Sequence, residues 1–124
     1  MDKRLLIVDD DAGLTRIVAL TANTLAISAT QINDPRRALD SFVQLRPQVV
    51  ILDIFMPEQD GIDVLDEILL TGIPTQVVLT TGDGDELLRL AQDAIRFHGR
   101  PEAPVLQKPF RRAELVEVLG RVFG

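Results

Sequence analysis

The chain has 124 residues, is 46% hydrophobic and 26% charged, and carries a net charge of −6. That length and balance suit one folded domain with a proper core and exclude a disordered chain. The absence of cysteine excludes disulfides, thiolate metal sites and thiol catalysis; a single histidine excludes a multi-histidine metal site, and the acidity argues against direct nucleic-acid binding.

No apolar run approaches the ~20 residues a membrane helix needs, and no signal peptide opens the chain, so a cytoplasmic location is expected. Residues 1–124 read as one domain, with no internal repeat, low-complexity tract or linker.

In chain order, Arg4 to Val8 is a short apolar run that ends in acid at Asp9, Asp10 and Asp11. Leu14, Ile17, Val18 and Leu25 then keep helical spacing, with Asp11 suited to cap that helix. Ile27 to Ile32 alternates apolar and small or polar residues, as a strand near a sheet edge would. Asp34-Pro35 marks a helix start, with Asp34 as cap and Pro35 in the first turn. Leu39, Phe42, Val43 and Leu45 are its predicted inner face before Pro47 stops it.

Val49 to Leu52 is an unbroken apolar run closed by Asp53, which suits a strand buried on both faces of a parallel sheet. Ile62, Leu65, Ile68 and Leu69 predict a helix ending near Gly72. Gln76 to Thr80 predicts a strand running into Thr81-Gly82. A helix from about Asp85 to His98 follows, with Leu87, Leu88, Leu90, Ala91, Ala94 and Ile95 as its apolar positions and the leucines as core. Val105 to Gln107 predicts a last short strand, and Leu115, Val118, Leu119 and Val122 a closing helix. Five strands alternating with five helices predict βαβ units and a mostly parallel sheet with right-handed crossovers.

In such a sheet the carboxyl edge is where ligands bind. It gathers Asp9, Asp10, Asp53, Thr81 and Lys108. Carboxylates placed together repel one another, and a cation is the usual remedy. Two or three carboxylates with open water positions suit Mg²⁺. A hydroxyl and an ammonium beside them suit the oxygens of a phosphoryl group. The set reads as a carboxylate nucleophile, Asp53, with metal and electrostatic help for phosphoryl transfer. Gly82-x-Gly84 is no nucleotide loop, since neither the following lysine nor the longer glycine fingerprint is present.

Four elements, each at a strand end, give the chain its resemblance to the response-regulator receiver domains of two-component signalling. They are Asp9-Asp10 after LLIV, Asp53 within VVILDIFMPEQDG, Thr81-Gly82 after VVLT, and Lys108-Pro109-Phe110. The resemblance covers essentially the whole chain. It implies a doubly wound, flavodoxin-like five-stranded sheet of order 2-1-3-4-5. Asp53 resembles the phosphoacceptor, and Asp10 the direct Mg²⁺ ligand. Asp9 resembles the ligand that acts mostly through water, and the Phe55 backbone carbonyl a further one. Thr81 resembles the switch hydroxyl and Lys108 the phosphate-pairing lysine, followed by a cis proline. The implied donor is a histidine kinase or phosphotransfer protein. An attached output domain and a dimer through the fourth helix, fifth strand and fifth helix are further implied partners.

Two departures stand out. Val105 replaces the aromatic that family members usually carry three residues before the lysine. Bulky Phe55 stands where a small or polar residue is common; with Asp83, it is expected to restrict water over the site. Two rivals frame the reading. A haloacid-dehalogenase-like phosphohydrolase would need a second aspartate where Phe55 stands. A degenerate receiver would act as a phosphate-independent docking module, against which the complete acidic pocket argues.

Overall fold

The computed structural model describes residues 2–57, 61–82 and 85–124, with backbone alone at residue 85. Strands β1 (Arg4–Val8), β2 (Ser28–Ile32), β3 (Val49–Asp53), β4 (Gln76–Thr81) and β5 (Val105–Gln107) form one sheet in the order β2-β1-β3-β4-β5. Every pairing is parallel. The helices are α1 (Ala12–Thr24), α2 (Ala38–Leu45), α3 (Gly61–Leu70), α4 (Asp85–Phe97) and α5 (Arg112–Phe123). The expected topology, with the alternating strand β2 at the edge, is the one observed.

The alternation of side chains along each strand divides the core in two. Leu6, Val8, Val50, Leu52, Val77 and Leu79 face α2, α3 and α4, joined by Phe42, Val64, Leu65, Ile68, Ala91 and Ile95. Leu5, Ile7, Val49, Ile51, Val78 and Leu106 face α1 and α5, joined by Val18, Ala22, Leu115 and Leu119. All five residues of β3 are buried, which is why that strand reads as a continuous apolar run. Among the described residues, no helix is long and apolar enough to cross a membrane.

Two predicted core positions, Val43 and Leu90, are corrected: both are exposed, as is Ile17, which keeps helical spacing. Each lies on an amphipathic helix whose buried stripe is narrower than its apolar one, because one sheet face covers only part of a helix circumference. The segment after Asp34 also departs from a continuous helix. Pro35–Arg37 is a 3₁₀ turn, closed by the Arg37 N–H donating to the Asp34 carbonyl, and α2 begins at Ala38. The two caps hold: Asp34 accepts from the Arg36 N–H at 3.0 Å, and Asp11 from the Leu14 N–H at 3.1 Å.

Two local devices position the carboxyl edge. Gly61 opens α3 where a Cβ would collide with the Asp53 carbonyl and the Ile54 backbone, so only glycine lets the helix start against the end of β3. The long connection into β5 is tied down by buried Gln92 of α4. Its amide donates to the Ala103 carbonyl and accepts from the Ala103 N–H, both at 2.9 Å. Arg100 adds bonds to the Thr75 and Ile73 carbonyls, at 3.1 and 3.3 Å.

Candidate functional site

β1 and β3 are neighbours in register, so the residues that follow Val8 and Leu52 emerge side by side at the carboxyl edge. Asp9 and Asp53 are both buried there, while Asp10 is exposed. A carboxylate oxygen from each of Asp9, Asp10 and Asp53 lies within 4.8 Å of the others. Lys108, just beyond β5, reaches across from the far side. Its Nζ donates to Asp9 Oδ2 at 2.7 Å and to Asp53 Oδ2 at 3.2 Å. The other Asp9 oxygen accepts from the Asp11 N–H at 2.9 Å, and Asp53 Oδ1 from the Phe55 N–H at 3.2 Å.

Thr81 ends β4, 8% exposed, and its carbonyl accepts from the Lys108 N–H at 2.7 Å. The threonine and the lysine expected from sequence thus sit at the ends of neighbouring strands, joined through the backbone. Thr80, which precedes Thr81 and also carries a hydroxyl, is buried with that oxygen lacking a hydrogen-bond partner among the described residues. The Lys108-Pro109 peptide is cis, as expected. An open hollow of about 300 Å³ is lined by Asp53, Phe55, Gly82 and Lys108, with the Phe55 side chain exposed at its side. Asp83 and Gly84 lie outside the described residues.

Electrostatics follow from the crowding. Burial, and then the neighbouring charge of Asp9, push the Asp53 carboxyl up from 3.8 to about 6, against the opposing pull of Lys108 and the Phe55 N–H. Asp10 is raised too, by burial first and then by Asp9. Burial acts to lower Lys108, but its bonds to and attraction by Asp9 and Asp53 together outweigh this and raise it. One ammonium does not balance three carboxylates. This donor set, all oxygen and net negative, fits a hard divalent cation such as Mg²⁺.

A consequence for stability can be measured. Between about pH 4 and 6 the folded chain keeps a proton on Asp53 that the unfolded chain has released. This group's contribution is therefore fully favourable below about pH 4 and is lost as pH rises through about 6. Asp53→Asn removes that ionisation. Without divalent metal the variant is expected to be more stable than wild type at pH 7.5, by about 1–2 kcal/mol after allowing for solvent at the mouth. The gain should shrink towards pH 4. Urea midpoints at the two pH values check it, and a variant less stable than wild type at pH 7.5 contradicts it.

Asn33 was not among the residues singled out by sequence. Its side chain bonds the Asp9 carbonyl at 2.9 Å. The available signal was its place directly after β2, at the same sheet edge.

Comparisons with known proteins agree with this geometry. Residues 5–120 match the family described as response regulator receiver domain. The chain is 31% identical to the chemotaxis protein CheY of Thermotoga maritima, over 98% of each chain. It is 34% identical to the DNA-binding response regulator MtrA of Mycobacterium tuberculosis, over 94% of this chain and 48% of MtrA, so it spans about half that relative's length. Among solved structures, NtrX from Brucella abortus superposes with a TM-score of 0.81 at 29% identity, over 98% of this chain and 27% of NtrX. Vibrio cholerae CheY4 superposes at 0.84 with 22% identity, over 98% of this chain and 99% of that one, a likeness of fold.

Proposed function

Because the chain belongs to the response regulator receiver domain family of two-component signalling, we propose that Asp53 is its phosphoacceptor and that residues 1–124 form one receiver domain. A receiver is a signalling module and not a classical enzyme. The observation that carries the assignment is the Lys108 ammonium held between Asp9 and Asp53 at the mouth of an open hollow. An Asp53 carboxylate oxygen attacks the phosphorus of a phosphohistidine on a histidine kinase or phosphotransfer protein. The new O–P bond forms as the P–N bond breaks, and the imidazole leaves with the electron pair and takes up a proton.

Asp10, Asp53 and the Phe55 carbonyl would hold Mg²⁺, with Asp9 acting mostly through water. When bound, the ion supplies positive charge that neutralises the carboxylates and the incoming phosphoryl oxygens. Lys108 then exchanges its bond to Asp53 for one to a phosphoryl oxygen, and the Thr81 hydroxyl donates to another. Thr81 and Lys108 are tied through the backbone, so a shift at the phosphoryl group passes into β4 and β5 together. Val105 is aliphatic, so the response runs through these strand ends instead of an aromatic rotation. The proposed output face is that of α4, β5 and α5, where Leu90, Phe97 and Val105 are exposed. It would serve a second copy or an attached domain, as the half-length match to MtrA suits. The proposed location is the cytoplasm. The assignment is tested by phosphoryl incorporation from acetyl phosphate with and without the Asp53 carboxylate.

Phe55 bears on lifetime. Its side chain flanks the hollow through which water must reach the acyl phosphate. Shielding should change hydrolysis less than a positioned acid or base, whose effect is commonly about 10²-fold or more. Phe55→Asn is expected to shorten the phosphorylated half-life by roughly threefold to tenfold. Decay of acid-labile phosphate after donor removal measures it; an unchanged or longer half-life contradicts the shielding role.

A further inference from the structure

The turn carrying Asp9 and Asp10 is held by a line of side chains running in from the edge strand. Asn33 follows β2 directly, and its Nδ2 donates both to the Asp9 carbonyl and to the Thr15 hydroxyl, each at 2.9 Å. Thr15 is fully buried on α1, with the Ala12 carbonyl and Gln31 Oε1 each 3.2 Å away as acceptors for its proton. The Asp9 N–H donates to the Ile32 carbonyl at 3.1 Å. The peptide joining Asp9 to Asp10 is therefore fixed at its oxygen by Asn33, and the Asp10 Cα lies in the same rigid plane. Asp10 is exposed, so packing does little to hold it, and the backbone fixes the point from which its side chain starts.

We infer that Asn33 is a positioning residue for Mg²⁺: by holding the Asp9 carbonyl it aims the Asp10 carboxylate, while Thr15 holds Asn33 in place. The inference rests on the reading of Asp9, Asp10 and Asp53 as the metal site. The ion explains why such control matters. Mg²⁺ demands near-ideal octahedral geometry, whereas Ca²⁺ accepts flexible coordination. Groups that orient a metal ligand from behind typically account for roughly 10–100-fold in affinity. Asn33 is uncharged, so removing its amide leaves the charge of the site unchanged. What is lost is aim.

The test titrates wild type, Asn33→Ala and Thr15→Val with Mg²⁺ and separately with Ca²⁺, following backbone NMR shifts over residues 9–11. Asn33→Ala is expected to weaken Mg²⁺ about tenfold or more and Ca²⁺ only about twofold. Thr15→Val, which keeps the buried shape, should move the ratio in the same direction by less. Unchanged Mg²⁺ affinity in Asn33→Ala, or an equal loss for both ions, overturns the inference. Should Asn33→Ala lose its dispersed amide spectrum before metal is added, Thr15→Val decides, and an unchanged ratio there overturns it. A wild type that binds neither ion overturns the metal site itself, and the inference with it, before any substitution is compared.

Discussion

Asp53→Asn is expected to reduce phosphoryl incorporation from acetyl phosphate to background, a loss on the order of 10³-fold or more, because it removes the proposed nucleophile and not an auxiliary group. The carboxamide has the same shape, and its oxygen can still accept from the Phe55 N–H that bonds Asp53 Oδ1 at 3.2 Å. Lys108 keeps its shorter bond to Asp9, at 2.7 Å. The pocket is therefore expected to stay folded while the proposed acceptor oxygen becomes a poor nucleophile. Loss of labelling together with equal or greater stability separates chemistry from unfolding. Acid-labile phosphate, counted against protein, measures the first and urea midpoints the second.

Removing divalent metal is expected to slow wild-type phosphorylation by roughly 10²–10³-fold. Three carboxylates crowd within 4.8 Å while one ammonium bridges two of them. An anionic phosphodonor approaching that edge meets net repulsion. Charge stabilisation by a bound cation is worth several kcal/mol, and each ~1.4 kcal/mol is tenfold in rate. Initial rates with Mg²⁺ and with excess chelator check it; equal rates would place the positive charge elsewhere.

Much of this was legible in the chain. LLIV and VVIL are continuous apolar runs because β1 and β3 are covered on both faces, and the acids that follow them mark the carboxyl edge. The neighbouring strands bring Asp9, Asp53, Thr81 and Lys108 together, as the alternation of strands and helices implied. Local chemistry was legible too where it is short-range, as in the Asp11 and Asp34 caps.

What was not legible depends on long-range geometry. Ile17, Val43 and Leu90 fit a helical apolar stripe, but only packing decides how wide a stripe the sheet covers. The 3₁₀ turn at Pro35–Arg37 is a matter of which carbonyl an N–H meets, and composition does not encode it. Asn33 bonds a residue 24 positions away, and Gln92 one 11 positions away across a loop. Neither is part of a periodic pattern or a motif. Such partners become visible only once the chain ends of separate strands are set beside one another.

The most direct measurement is to locate the phosphoryl group itself. Wild-type protein is phosphorylated with acetyl phosphate and Mg²⁺, then treated with borohydride, which reduces an acyl phosphate to a primary alcohol and leaves free carboxylates unchanged. Peptide mass spectrometry then reads which side chain was converted. Conversion at Asp53 alone, absent without donor or metal, is the result predicted here. Conversion at Asp9 or Asp10, or none while acid-labile phosphate is incorporated elsewhere, would contradict Asp53 as the acceptor.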